Sequence, residues 1–256
     1  MLSEAQIERY SRQIILPQLG GKGQETLLRA RVLVNGGVLQ TTTLLYLAAA
    51  GVGTIGLRSR ERPAVFSALA GKMDDDDHLI NKKSAASPLD GPRDPVVATL
   101  ARLNPDCRVV RHDMDGSAAA LIAAYDLVVS EPDPLVDHCG SAGQPVCCSW
   151  GQTSDRHLFV CRGGLDQACW GCLPAEQKRT APDHEETAFG RLADLFWGAF
   201  QATEALKCVI GLGPASSSRL FTCQFPQLQF SDRPVEKNPD CAVCGRAGDR
   251  AGGMDG

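Results

Sequence analysis

The chain has 256 residues, of which 43% are hydrophobic and 22% are charged, and it has a formal net charge of −4. This composition is typical of a folded globular protein with a sizeable core. The acidic balance does not suit a nucleic-acid partner, because phosphate binding depends on clustered Lys and Arg. With no basic, apolar leader and no apolar run long enough to cross a bilayer, the sequence predicts a cytoplasmic protein without a membrane partner.

The alternation of predicted helices and strands indicates the fold class. Two short helices are predicted within residues 3–30. They are followed by a strand at 31–34, a glycine turn at 35–37, a helix at 41–50 and a strand at 54–57. This order is the opening unit of a nucleotide-binding sheet. After an irregular stretch at 59–94, further helices are predicted at 95–103, 117–124 and 192–210, and strands at 107–111, 126–129, 145–148 and 157–161. The alternation favours an α/β fold with a doubly wound, mostly parallel sheet.

Two cysteine pairs are the strongest chemical signal in the sequence. Cys169 and Cys172 form one pair, and Cys241 and Cys244 form the other, about 70 residues later. Each spacing places two thiolates on one tight turn, and two such turns complete the tetrahedral shell of a structural Zn²⁺. A shared ion would staple the C-terminal region onto the body of the protein. A redox pair and unpaired buried cysteines are the alternatives, although neither pair opens a helix as a redox motif would.

Several short motifs follow one another along the chain. They are RYSRQIIL at residues 9–16, GQE at 23–25, RVLV at 31–34, YLAAAGVG at 46–53, LNP at 103–105, DLVV at 126–129 and QATEALK at 201–207. Together with the cysteine pairs, these motifs resemble the MoeB/ThiF family, the bacterial relatives of ubiquitin-activating enzymes, over roughly residues 5–246. The resemblance implies a Rossmann-like, ThiF-type fold and a dimer that uses Mg-ATP to adenylate the C-terminal glycine of a small ubiquitin-like or sulfur-carrier protein.

The resemblance also implies an organisation of the chain. Residues 1–246 form one domain, in which 1–30 are a helical dimer segment, 31–135 a nucleotide-binding-like half and 136–246 a carrier-binding-like half with the zinc site. Residues 247–256 form a flexible tail. The dimer surface is expected to draw on the apolar side chains of residues 14–16 and of Leu44, Leu45 and Leu47.

Most residues that the family uses to bind ATP have no counterpart here. The family's phosphate-binding turn, Gly-x-Gly-Gly-x-Gly, matches NGGVLQ at residues 35–40, so that Gly36 and Gly37 are the remnant of a nucleotide turn. Val38 and Gln40 place side chains where backbone approaches phosphate. Ser59 replaces the acid that holds the ribose. The expected asparagine, arginine and lysine fall at Ser67, Ala70 and Pro92.

Two further residues match functional positions of the family. Asp133 matches the aspartate associated with Mg²⁺, and Arg12 matches the arginine that reaches the ATP of the dimer partner. An arginine supplied in trans contributes about 10³–10⁵ in rate in other phosphoryl-transfer systems. The alternative for Arg12 is a structural ion pair within the N-terminal segment. The missing ATP-facing residues argue against bound ATP and Mg²⁺.

Three hypotheses follow from this pattern. The first is a degenerate, non-catalytic subunit that pairs with an active homologue or binds a small ubiquitin-like carrier, with Arg12 acting in trans. The second is a divergent but active adenylyltransferase in which Lys72, Lys82, Lys83 or Arg93 replaces the missing cations. The third is a sheet crevice that binds another small ligand. The protein is expected to form a homodimer alone and to prefer a heterodimer when an active homologue is present.

Overall fold

A computed structural model describes residues 1–37, 40–59, 95–114, 117–151, 155–178, 188–213 and 218–245. Val38, Ser67, Ala70 and Pro92 lie outside these ranges. So do the candidate replacement cations Lys72, Lys82, Lys83 and Arg93, and the tail at 247–256.

One eight-stranded sheet forms the centre of the described structure, with the strand order β3-β2-β1-β4-β5-β6-β7-β8. The strands are β1 (Arg31–Asn35), β2 (Thr54–Arg58), β3 (Arg108–Arg111), β4 (Leu127–Ser130), β5 (Val146–Gly151), β6 (Asp155–Cys161), β7 (Ser218–Gln224) and β8 (Gln229–Val235). The first five strands in this order are parallel, and the last three pairings are antiparallel. The predicted α/β fold with a mostly parallel sheet is therefore confirmed. The prediction did not include β7 and β8.

Helices cover the sheet and form the N-terminal segment. They are α1 (Glu4–Arg9), α2 (Ser11–Ile14), α3 (Gly20–Arg29), α4 (Thr41–Ala50), α5 (Pro95–Leu103), α6 (Ala118–Ala123), α7 (Pro134–Ala142) and α8 (Ala188–Ile210). The N-terminal segment has three helices where two were predicted, because Tyr10 leaves helical geometry at the junction of α1 and α2. Within the described ranges, no helix has the length and apolar character needed to span a membrane.

The core has two parts, one on each face of the sheet. On one face, α4 and α8 pack against each other and against β1, β4 and β6. This packing buries Leu44 and Leu47 almost completely. Those two leucines therefore belong to the core and not to a dimer surface, whereas Ile15 and Leu16 are exposed.

The sheet topology places a crevice at one edge. β1 lies between β2 and β4, so the connections from β1 and β4 diverge to opposite sides at their carboxyl ends. In open α/β sheets, ligands bind at such a switch point. The residues at and just after the carboxyl ends of β1, β2 and β4 are therefore the first place to look for a functional site.

Candidate functional site

Arg58, the last residue of β2, spans the crevice. Its Nη1 donates to Oδ1 of Asn35 at the end of β1 (2.8 Å), and its Nη2 donates to the carbonyl oxygen of Met114 beyond β3 (3.1 Å). Nη1 also lies 3.6 Å from Oδ1 of Asp133, beyond β4, and the Arg58 side chain is 12% exposed. One guanidinium thus joins the ends of four parallel strands.

Asn35 extends this network across the switch point. Its Nδ2 donates to Oγ of Ser130 at 2.9 Å, and both residues are buried. Asn35 therefore accepts from Arg58 and donates to Ser130, which fixes the orientation of its amide. Polar groups buried in this way are stable only when they are hydrogen-bonded, so the network also holds the strand ends in register.

Glu131 occupies the remnant of the nucleotide turn. Its Oε1 accepts a hydrogen bond from the backbone N–H of Gly37 at 3.0 Å. A Cβ at Gly36, where φ is +141°, would lie 2.8 Å from the same carboxylate oxygen, so glycine is needed there to admit the Glu131 side chain. In a phosphate-binding turn, such an N–H faces the ligand. In this protein it faces an internal carboxylate.

Gln40 was predicted to place its side chain where phosphate would bind, but the side chain does not extend into the crevice. Its side chain is fully buried, and its Nε2 donates to Oγ of Ser149 on β5 at 3.4 Å. Its Oε1 is buried without a hydrogen-bond partner among the described residues, which carries a desolvation cost. Gln40, one of the two residues predicted to crowd a bound phosphate, thus packs beneath the turn. The other, Val38, lies outside the described residues.

Asp133 has two structural partners. It is the N-cap of α7, where its Oδ1 accepts from the backbone N–H of Leu135 at 2.8 Å, and the same oxygen faces Arg58. Pro134 follows at the first helical position, which favours this start of the helix. The carboxylate that matches the Mg²⁺-associated residue is therefore already bonded within the chain.

Arg12 lies on α2, away from the crevice network. Its side chain is exposed, and within the described parts of the chain it forms no ion pair. Tyr10, two residues earlier, anchors the segment. Its hydroxyl donates to Oδ2 of Asp106 at 3.0 Å and accepts from Nδ2 of Asn104 at 2.8 Å, and burial raises the pKa of Tyr10 to about 12. The structure thus gives Arg12 a fixed backbone and no internal charge partner among the described residues.

The two cysteine pairs come together as predicted. The ligand atoms of Cys169, Cys172, Cys241 and Cys244 all lie within 4.8 Å of one another. The Sγ atoms are 4.0 Å apart between Cys169 and Cys172, 3.7 Å between Cys169 and Cys241, and 3.5 Å between Cys172 and Cys244. These separations are too long for disulfide bonds. The cluster could hold a metal ion.

The geometry of the cluster fits a tetrahedral ion. Four sulfurs at about 2.3 Å from a central Zn²⁺ lie about 3.8 Å from one another, close to the Sγ separations found here. The backbone N–H of Asn238 donates to Sγ of Cys172 at 3.5 Å, an interaction that favours a thiolate. Gly171 allows close packing, because a Cβ there would lie 3.0 Å from Sγ of Cys241.

Arg58 and Glu131 are among the crevice residues that sequence reasoning missed. The predicted strand ended at Leu57, but β2 continues to Arg58 and pairs it with Asn35. A charged side chain at the carboxyl end of a buried parallel strand was the available signal for Arg58. Glu131 adjoins Asp133 and follows a strand of four buried residues, so its position beside the glycine turn could have been inferred from the topology.

Comparison with known proteins finds relatives that match over 95% of this chain. No protein-family model matches the chain. The chain is 33% identical, over 95% of its length, to the adenylyltransferase and sulfurtransferase MOCS3 of Bos taurus, and it spans 54% of that relative. It is 30% identical, over 95% of its length, to the sulfur carrier protein adenylyltransferase of Thermus thermophilus, and it spans 92% of that protein.

Solved structures show the same fold. The crystal structure of E. coli MccB with ATP matches with a TM-score of 0.65 at 16% sequence identity, and the match covers 93% of this chain and 74% of MccB. At that identity the likeness concerns the fold alone. The chain is at least 30% identical to relatives that it spans almost completely. It therefore belongs to the MoeB/ThiF family.

Proposed function

We propose that this protein is a non-catalytic member of the MoeB/ThiF family that pairs with an active adenylyltransferase and binds a ubiquitin-like or sulfur-carrier protein. The observation that supports the loss of catalysis is the crevice. The turn N–H of Gly37 is bonded to Glu131, and Asp133 is bonded to Leu135 and faces Arg58. The groups that would contact a triphosphate and its cation are thus already bonded to other parts of this chain.

Electrostatics argue against nucleotide binding in this arrangement. A phosphate at Gly37 must displace Glu131, which leaves two carboxylates, Glu131 and Asp133, beside a polyanion. A cation bound at Asp133 would also have to displace Arg58, whose hydrogen bonds join the strand ends. Each charge-assisted hydrogen bond lost from a ligand site removes roughly 1.5–3 kcal/mol of binding, and two such losses lower affinity about hundredfold or more.

The proposed partners rest on the relatives and on the N-terminal segment. The Thermus thermophilus relative is named for a sulfur carrier protein, which suggests a carrier of that class for this family member. Arg12 is exposed beside Ile15 and Leu16, which are 76% and 50% exposed. A cation among exposed apolar side chains suits a subunit interface in which Arg12 reaches the partner's nucleotide.

We also propose that the cysteine cluster binds one Zn²⁺. Cys169, Cys172, Cys241 and Cys244 would hold the ion, and a closed shell of four thiolates leaves no position for substrate. Zinc would supply a structural cross-link between the segment after β6 and the segment after β8. Its contribution is to stability.

Calorimetry with Mg-ATP tests the loss of nucleotide binding, and pyrophosphate exchange tests the loss of catalysis. We expect binding to be at least about hundredfold weaker than that of an intact family member titrated side by side, and no pyrophosphate exchange with candidate carriers. Glu131→Ala serves as the paired variant, because it frees the N–H of Gly37 without altering Asp133. Low-micromolar binding of Mg-ATP by the wild-type protein, together with pyrophosphate exchange, would establish the divergent active enzyme instead.

A further inference from the structure

A second candidate site lies at the opposite end of the sheet. It is a cavity of about 300 Å³ whose floor is apolar, since Val160 on β6 and Phe221 on β7 line it. The other lining residues are charged: Arg162, Glu204, Lys207, Arg219 and Asp232. An apolar surface with a few converging charged groups is the usual composition of a small-molecule site.

The cavity is separate from the crevice. Gly151, at the crevice end of β5, pairs with Arg156 near the start of β6, whereas Val146 at the other end pairs with Cys161. Arg162 follows Cys161 directly. Six residues of strand at about 3.3 Å each place Arg162 roughly 20 Å along the strand direction from the crevice end of the sheet. A ligand here would not compete with one at the crevice.

Two ion pairs hold the walls of the cavity in place. Arg219 donates to Oδ2 of Asp232 from Nε at 3.1 Å and from Nη2 at 2.5 Å. On α8, Nζ of Lys207 donates to Oε1 of Glu204 at 2.5 Å, and the Glu204 side chain is 6% exposed. Because these side chains are already ordered, a ligand would lose little affinity to ordering them.

Arg162 is the cation without a carboxylate partner among the described residues. Its Nη1 donates to the carbonyl oxygen of Lys207 near the end of α8 at 3.3 Å. Gly213 leaves room for the guanidinium, because a Cβ there would lie 2.9 Å from Nη2 of Arg162. Three cations and two carboxylates therefore line the cavity and give it a net charge of +1.

We infer that this cavity binds a small organic monoanion, a carboxylate with a short apolar chain. The planar fork of Arg162 matches a carboxylate, and Nη1 of Arg219, which is not used in the pair with Asp232, can donate one further bond. Val160 and Phe221 offer a surface for the apolar part. Glu204 and Asp232 disfavour a second negative charge, so the cavity selects against a phosphate dianion. This site goes beyond the proposed function and does not depend on it.

The test uses butyrate and inorganic phosphate as probes, with binding followed by NMR shifts of the arginine Nε–H signals in the full-length protein. We expect saturable shifts with butyrate and weaker ones with phosphate. Arg162→Gln and, separately, Arg219→Gln should each weaken butyrate binding at least about tenfold, as expected for loss of one charge-assisted bond. Arg233→Gln, on β8 but outside the cavity lining, should leave it unchanged.

Two outcomes would overturn the inference. One is the absence of saturable shifts with butyrate at tens of millimolar. The other is equal affinity in the wild-type protein and in both the Arg162 and Arg219 variants. If Arg162→Gln fails to fold, because Arg162 also caps α8, Arg219→Gln still decides the question.

Discussion

The crevice and the cysteine cluster differ in what the chain retains of its family. At the cluster all four expected ligands are present and converge, with Sγ separations that suit a tetrahedral ion. At the crevice Gly37 and Asp133 remain, and each is bonded to another part of the same chain. The cluster could therefore hold a metal ion, whereas the corresponding groups of the crevice are already bonded within the chain.

The crevice network has also acquired a structural role. Arg58 and Asn35 join β1, β2, β4 and the segment after β3 at one point. Side chains therefore connect these strand ends directly. Because the network joins the strand ends, both regions should be measurable by their effect on stability.

The largest expected effect is at the cysteine cluster. Cys241→Ser removes one of the four thiolates and should therefore abolish stoichiometric zinc. Stability should fall with it, because the free energy of metal binding in such sites contributes to folding. We expect the free energy of unfolding to fall by at least about 3 kcal/mol, which corresponds to a loss of about 6–12 °C in Tm. Elemental analysis and calorimetry measure both effects.

Cys208→Ser is the matched control for this variant, because Cys208 is a partly buried cysteine outside the cluster. It should retain zinc and lose much less in Tm. A Cys241→Ser protein with a full zinc complement and an unchanged Tm would show that the cluster does not hold the structure together.

A smaller effect is expected at the crevice. Arg58→Ala removes the bonds to Asn35 and Met114 and leaves the Asp133 carboxylate without its cation, so we expect a loss of about 2 kcal/mol in the free energy of unfolding. Denaturation in urea measures it. The control is Arg29→Ala, a cation that is 70% exposed and paired at 3.6 Å with Glu25, which should cost less than about 0.5 kcal/mol. Equal losses in the two variants would show that the crevice network is an ordinary surface pair.

Periodicity and spacing accounted for the parallel half of the sheet and for the convergence of the cysteines. The helix Pro95–Leu103 matches its prediction, since an amphipathic helix carries a clear apolar pattern. The hairpin of β7 and β8 was not predicted. Its second strand, β8, has no apolar pattern, because it is exposed at six of its seven residues. The Glu131 contact with Gly37 joins residues 94 positions apart, so local periodicity does not predict it, and only the strand order of the sheet could have indicated it.

The smallest effect on this protein's own stability is expected at Arg12. Its side chain is exposed and has no ion pair among the described residues, so Arg12→Ala should change the free energy of unfolding by less than about 0.5 kcal/mol. In complex with an active homologue, the same variant should slow adenylation by the partner at least about tenfold, a conservative fraction of what an arginine in trans supplies. Arg9→Ala provides the contrast, since Arg9 is paired with Asp106 at 3.2 Å and should affect stability more than the partner's rate. If the partner's turnover is the same with wild-type and Arg12→Ala subunits, Arg12 does not act in trans, and the proposed pairing loses its main support.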